Sequence, residues 1–452
     1  MSDSAHTQRQ KILDALFERY EGPSFDVRFW DQWRWVSPGN GKPVCTLVVN
    51  SASALQSLIA CPSEITLGEA FIEKEIDVEG DIFSVFDVAE HVFECPRSRR
   101  QWILEVASAA FFGIRRWLSQ GKTHSIERDS AAISHHYDQP VEFFRPWLGK
   151  TMAYSCGYFE SKDDSIDQAQ TNKLELICRK LRLQPGERFL DIGCGWGSLI
   201  LQASSGHNVF AQGITISREQ ARVTSERVET ARLKQSCDVE LLDYRKAPEA
   251  FPPFDKIASV GMFEHVGLRN MPIYFDRAYR LLKPGGMFLN HAIACCDEKR
   301  NRAPSLLYRL AAPFLSEAAK SQRRPGTGSF IDKYVFPDGE LMTISQAMSG
   351  AEAAHFEVRD VENLREHYEL TLRRWVDGLQ RNCAALLKLV PESTYRIWLL
   401  YMAGSAAAFR RGDIAIFQTL LSRPEHGRSG LPLRREDWYV SGVAGERDLA
   451  VQ

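Results

Sequence analysis

The sequence predicts an α/β protein built on a doubly wound, mostly parallel sheet, with a smaller N-terminal α+β domain ahead of it. Three observations carry this. Apolar runs of strand length alternate with helical periodicity from Phe189 to His291, the pattern of successive βαβ units. The first of these runs ends in Asp191-Ile-Gly-Cys-Gly-Trp-Gly197, a glycine loop placed where a strand hands over to a helix. The chain is also too long, at 452 residues, for one ordinary domain.

Taken in order, residues 1–118 mix short strand-like runs such as Val44 to Val49 with amphipathic helical stretches. The run ITLGEAFIEKEIDVEGDIF (65–83) reads as a turn, a helical turn and a strand. Arg97, Arg99, Arg100, Arg115 and Arg116 flank an apolar stretch from Ile103 to Ile114, with Phe111, Phe112 and Trp117. Such a segment suits an anionic membrane surface, and it equally suits a helix packed on its own domain. Residues 119–132 form a polar linker, and the second domain is expected over 133–423. Within it, strands are predicted at Phe189–Ile192, Asn208–Gln212, Asp238–Leu242, Phe254–Val260 and Met287–His291. Helices are predicted at Ser198–Ser204, Arg218–Leu233 and Tyr274–Leu282. An insertion at about 297–328 breaks the pattern. Helical periodicity resumes from Ile344 and runs from Tyr368 through Leu421; the tail, 424–452, is polar and expected to be loosely ordered.

Composition narrows the class. A hydrophobic share of 44% and a charged share of 25% are those of a globular protein, and a formal charge of −2 gives no overall attraction to nucleic acid. No stretch reaches the length of an apolar membrane span, and the polar start places the protein in the cytoplasm. Ten cysteines without a Cys-x-x-Cys pair argue for reduced thiols and against a zinc site or a disulfide framework, and no metal site is expected.

The glycine spacing is Asp-x-Gly-x-Gly-x-Gly, not the Gly-x-Gly-x-x-Gly of a dinucleotide site. About 20 residues on, where an acid would hold a dinucleotide ribose, the chain has Ala211, Gln212 and Gly213. Both features favour S-adenosylmethionine over NAD. At the carboxyl ends of the strands, Asp191, Asp243, Gly261 and His291 are expected to gather.

YSCGYF (154–159), LDIGCGWG (190–197), GITISREQ (213–220), SVGMFEHVG (259–267), LKPGGMFLNHAI (282–293), HYELTLRRW (367–375) and AFRRGDIAIFQ (408–418) together resemble the cyclopropane-fatty-acid synthase family. The resemblance implies a Rossmann-like methyltransferase fold and methyl(ene) transfer from S-adenosylmethionine to the cis double bond of a phospholipid acyl chain, with bicarbonate as the base. It implies that Glu264, His291 and Tyr368 hold the bicarbonate through side chains, and Cys156 and Ile293 through their backbones. For the cofactor it implies Tyr137, Tyr154 and Ser155 at the methionine end, and Asp191, Gly193 and Gly195 along the loop. Thr215 and Gln220 would hold the ribose, and Asp243 and Tyr244 would bound the adenine. The N-terminal domain is expected to dock to the membrane or to mediate a homodimer contact, and linker flexibility to let the two domains move. The expected site of action is the inner membrane face, as a peripheral protein.

Two segments depart from the family pattern. HHYDQPVEFFRPWLG (135–149) lacks the usual Gly-Asn after HYD and is expected as a loop over the cofactor entrance; the insertion at 297–328 reads as a lid over lipid headgroups or as a surface insertion. Cys156 has no base partner nearby in sequence and is not expected to act as a nucleophile; His265 reads as structural. Methyl branching of the acyl chain, an inactive lipid-binding protein and a small hydrophobic substrate are the alternatives the residues leave open.

Overall fold

A computed structural model describes residues 2–39, 41–60, 63–94, 139–296, 329–336 and 339–439. Tyr137, the basic stretch around 103–114, the 119–132 linker and the 297–328 insertion lie outside the described residues.

The N-terminal unit opens with α1 (Ser2–Phe17), followed by β1 (Asp26–Phe29), β2 (Arg34–Val36) and β3 (Cys45–Val49). Then come α2 (Ala52–Ala60), α3 (Glu64–Ile72), β4 (Ile76–Gly80) and α4 (Ser84–Glu94). Its four strands form a sheet in the order β2-β1-β3-β4. Phe17, Phe25, Phe29 and Trp35 pack beneath that sheet as its core. Ser63 caps α3, its side chain accepting from the Thr66 amide, as a serine just ahead of a helix is suited to do.

The larger unit begins with α5 (Val141–Leu148) and α6 (Ile166–Leu181), and continues with β5 (Arg188–Ile192), α7 (Ser198–His207), β6 (Phe210–Thr215), α8 (Arg218–Thr230) and β7 (Cys237–Leu241). After β8 (Phe254–Val260), α9 (Met271–Leu281) and β9 (Leu282–Cys295) come α10 (Ile344–Ala353), β10 (Glu357–Asn363), α11 (Arg365–Arg381), α12 (Glu392–Arg411) and β11 (Ile414–Ser422). The seven strands run in the order β10-β11-β9-β8-β5-β6-β7. The α/β class and the doubly wound sheet are as expected. From β5 the chain winds outward to β7, then crosses to β8 on the other side of β5. The order therefore reverses between β5 and β8, and a crevice opens beyond their carboxyl ends.

Where the expectations fail, the reasons are local. The helix expected through Leu421 ends at Arg411, where Gly412 in the left-handed region closes it, and Ile414–Ser422 is a strand. That run, IAIFQTLLS, is almost wholly buried and lies between two neighbours, so its apolar residues do not alternate and periodicity cannot tell it from a helix. Its partner β10 has mostly half-buried residues and was missed for the opposite reason. Residues 141–148, expected as part of an entrance loop, form α5 instead, with Phe143, Phe144 and Trp147 buried. The tail is tied down as far as Tyr439: Trp438 is only 2% exposed, and Asp437 pairs with Arg182.

The two units are interlocked, against the expectation of free motion about the linker. Phe71, Ile82 and Phe83 of the N-terminal unit share one apolar core with Trp375, Trp398 and Met402. The Arg396 guanidinium lies 4.0 Å from the Phe71 ring centroid. It donates to the carbonyl oxygens of Phe71 and Ile76 and to Asp77.

Candidate active site

The crevice at the ends of β5 and β8 is a cavity of about 130 Å³ lined by Tyr154, Ser155, Asp191, Gly193, Gly195, Thr215, Gln220, Asp243 and Tyr244. These are the expected cofactor residues except Tyr137. Gly193 has φ +79°, and a Cβ there would stand 2.8 Å from Met262 Cγ, so the close passage of loop and wall requires glycine. Thr215 ends β6, which extends beyond the expected Gln212. Its hydroxyl donates to Gln220 Oε1 at 2.7 Å and accepts from the Ser217 amide at 3.2 Å. Ser217 is the residue that caps α8, so Thr215 supports the cap while still lining the cavity. Asp243 is held by Arg245, whose Nε and Nη2 approach its two oxygens at 2.9 and 2.6 Å.

Lys173 was not singled out from the sequence. It is buried in the cavity wall and donates to Ser155 Oγ at 2.9 Å. Burial lowers its pKa to about 8, and burial raises that of Asp191 to about 7 while Lys173 pulls it back down. One Asp191 oxygen, Oδ1, has no hydrogen-bond partner. A wall with a buried ammonium, a half-satisfied carboxylate and a glycine loop suits a ligand carrying an amine and a carboxylate of its own. The signal for Lys173 was available: Lys173 and Lys180 sit two turns apart on one face of α6, among Ala169, Leu174, Ile177 and Leu181.

The second group lies around β9. His291 and Ile293 point to one face of that strand, and β11 sets Gln418 opposite His291 and Ile416 opposite Ile293. Glu264 sits on the short turn after β8, and its Oε1 accepts from the Ile293 amide at 2.7 Å. The amide expected to hold an anion thus orients the carboxylate here. Burial raises the Glu264 pKa to about 7. Its Oε2 and the Nε2 of His291 are both buried without a partner. Cys156 is fully buried, its thiol facing the Gly157 carbonyl at 3.2 Å, and burial pushes its pKa far up, which leaves no thiolate for attack. The Tyr368 ring packs 4.6 Å from Phe409, in the core that also takes in Cys156 and Ile293. Glu264, His291, Tyr368, Cys156 and Ile293 therefore gather around one strand, beside the cavity and not within its lining.

Behind Tyr154 and Trp196, which line the cavity, packs an aromatic cluster. The Tyr154 ring lies 5.2 Å from Trp375, 5.8 Å from Trp147 and 6.0 Å from Trp398. Phe144 packs 4.9 Å from Trp196 of the glycine loop. Such a cluster excludes water from behind the cavity wall, and of its rings Tyr154 and Trp196 border the cavity itself.

The family model described as mycolic acid cyclopropane synthetase matches residues 124–419, and one for a domain of unknown function matches 12–94. A probable fatty acid methyltransferase of Pseudomonas putida is 37% identical over 88% of this chain and 92% of its own length. The cyclopropane-fatty-acyl-phospholipid synthase of Escherichia coli is 36% identical over 71% of this chain and 72% of its own. The solved mycolic acid cyclopropane synthase CmaA1, complexed with SAH and CTAB, superposes with a TM-score of 0.56 at 34% identity, covering 65% of this chain and 97% of its own.

Proposed function

The chain belongs to the mycolic acid cyclopropane synthetase family and is an S-adenosylmethionine-dependent methyltransferase, and from that premise we propose that it turns the cis double bond of a phospholipid acyl chain into a cyclopropane ring. The observation that carries this reading is the pair of buried, unpartnered atoms Glu264 Oε2 and His291 Nε2, set against one face of β9. Together they fit an anion that shares protons, and bicarbonate is the group we assign there.

Bound S-adenosylmethionine supplies a methyl on an electrophilic sulfonium, and bicarbonate supplies an oxygen base for the proton that must leave the added methyl. The chain's own residues do the rest. An isolated alkene is a weak nucleophile that no side chain can activate, so the site works by placement. Lys173 and Asp191 bind the charged end of the cofactor, and the glycine loop lets its backbone approach. Tyr154, backed by Trp375 and Trp398, excludes water and favours the carbocation that follows attack. Glu264, His291 and Tyr368 would hold the base through their side chains, and Cys156 and Ile293 would border it from the apolar core they share with Tyr368.

The N-terminal unit docks the enzyme on the inner membrane face, a role supported by Trp30 at its β1–β2 turn. Trp30 is 38% exposed and stacked against Arg9, a pairing suited to a headgroup layer. Among the described residues no helix is long and apolar enough to cross a membrane. Methyl branching in the same site is the second reading; the Pseudomonas putida relative is named only a probable fatty acid methyltransferase, which fits either product.

Incubation with labelled S-adenosylmethionine and vesicles of cis-monounsaturated phospholipid, with and without bicarbonate, tests the reading by mass spectrometry of the acyl chains. One added CH2 with the alkene consumed, dependent on bicarbonate, is the expected product. Branched chains that keep an alkene would favour the second reading. No acyl product with any headgroup would exclude both.

A further inference from the structure

Behind His291 lies a buried polar chain that the reaction as described does not use. We propose that Gln418, held by the buried Lys180–Glu362 ion pair, is a positioning residue that fixes the His291 imidazole with its proton on Nε2, so that the ring offers a donor to the anion beside Glu264. The inference rests on the reading of the site given above and deepens it.

Lys180 is 0% exposed, and its Nζ lies 2.8 Å from a side-chain oxygen of Gln418 while also pairing with Glu362. An ammonium only donates, so the amide oxygen must face Lys180 and the amide nitrogen must face the other way. That nitrogen lies 3.1 Å from Nδ1 of His291, which is itself 0% exposed. An amide NH2 only donates, so Nδ1 must accept, and a neutral ring then carries its proton on Nε2. Nε2 is the atom left without a partner. Burial holds the ring neutral, in the same direction as the nearby lysines. The opposite tautomer would set a lone pair against an anion.

The chain is sealed from outside the matched family region. Trp438, beyond residue 419, lies with its ring 5.7 Å from Lys180 Nζ. Its segment is pinned by Asp437 on Arg182 and by Arg435 on Asp360. The C-terminal segment thus covers the lysine on which the amide's orientation depends, while its partner Glu362 stays partly exposed.

The test is the tautomer itself, read by nitrogen NMR on the full-length protein with 15N-labelled histidine, the His291 signals being assigned with a His291→Gln sample. A protonated Nε2 and a bare Nδ1 are expected; a protonated Nδ1 overturns the proposal, whether or not the enzyme makes a ring. Gln418→Glu puts an acceptor-only oxygen against Nδ1. It should move the His291 proton to that atom and lower kcat on the order of 100-fold. SAH affinity should stay within about twofold, because Gln418 does not line the cofactor cavity. Unchanged kcat in a folded Gln418→Glu protein also overturns the proposal, and should that variant not fold, the wild-type spectrum decides alone. A protonated Nε2 in a protein that gives no acyl product in the vesicle assay would support the inference and sink the substrate reading, which separates the two.

Discussion

Glu264 concentrates what the site asks of one side chain. Its carboxyl is buried, one oxygen is held by the Ile293 amide, and the other waits for a partner. Because burial raises its pKa to about 7, the folded chain binds this proton more tightly than the unfolded chain does. The resulting stability is fully present below the ordinary carboxyl range and is lost as pH rises through about 7. Glu264→Gln keeps the Ile293 bond and removes the charge. Turnover should fall on the order of 100-fold or more, with SAH affinity within about twofold by calorimetry. The same variant should melt higher than wild type at pH 8, by a margin that shrinks toward pH 5. A lower melting point at pH 8 would show that the ionised carboxylate is stabilised by something this geometry lacks. The acids and the imidazole are legible because their motifs bring them, and Lys173 shows only as a lysine on an apolar helix face; Gln418 leaves no such signal, because it acts through a neighbour that only the fold supplies.

Among the elements, the loop from β5 to α7 carries the most constraint. Gly193→Ala would force an L-residue into a left-handed backbone at φ +79° and drive a Cβ into Met262. The strain is roughly 1–3 kcal/mol, and it falls where the loop must approach the cofactor. SAH affinity should drop on the order of tenfold or more, measured by titration calorimetry, with acyl-chain turnover falling in step. Wild-type affinity in this variant would mean that the loop bends away without cost. This strand and loop could be read from the sequence, since an apolar run ending in an acid and glycines has one common structural use. The pairing of β9, β10 and β11 could not. β11 is buried on both faces and β10 is mostly half-buried, so neither shows the alternation that marks a half-buried strand. That gap also hid the Gln418–His291 contact, which exists only because β11 runs antiparallel to β9 in this register.

At the scale of the whole molecule, the N-terminal unit is part of the frame around the active site. α12 carries Trp398 in the aromatic cluster, and two residues earlier it sends Arg396 into the N-terminal unit. The Arg396 side chain is only 8% exposed, and its guanidinium satisfies the carbonyl oxygens of Phe71, in a buried bond, and of Ile76, in a partly buried one. Arg410 on the same helix pairs with Asp87, and Phe86 packs where a side chain at Gly404 would stand. Docking of the N-terminal unit and the position of Trp398 are therefore coupled through one rigid helix. Arg396→Ala should lose about 2–4 kcal/mol of stability, because it strands those carbonyls as well as removing the cation over Phe71. Calorimetry should show wild type melting in a single transition that spans both sheets, since one apolar core joins them. The variant should melt lower, with the N-terminal unit separating first. Its turnover on vesicles should fall further than its SAH affinity, because no residue of the helix that loosens lines the cofactor cavity, which it reaches only through the contact of Trp398 with Tyr154. Two resolved transitions in wild type, or a variant with wild-type turnover, would show that the units work independently.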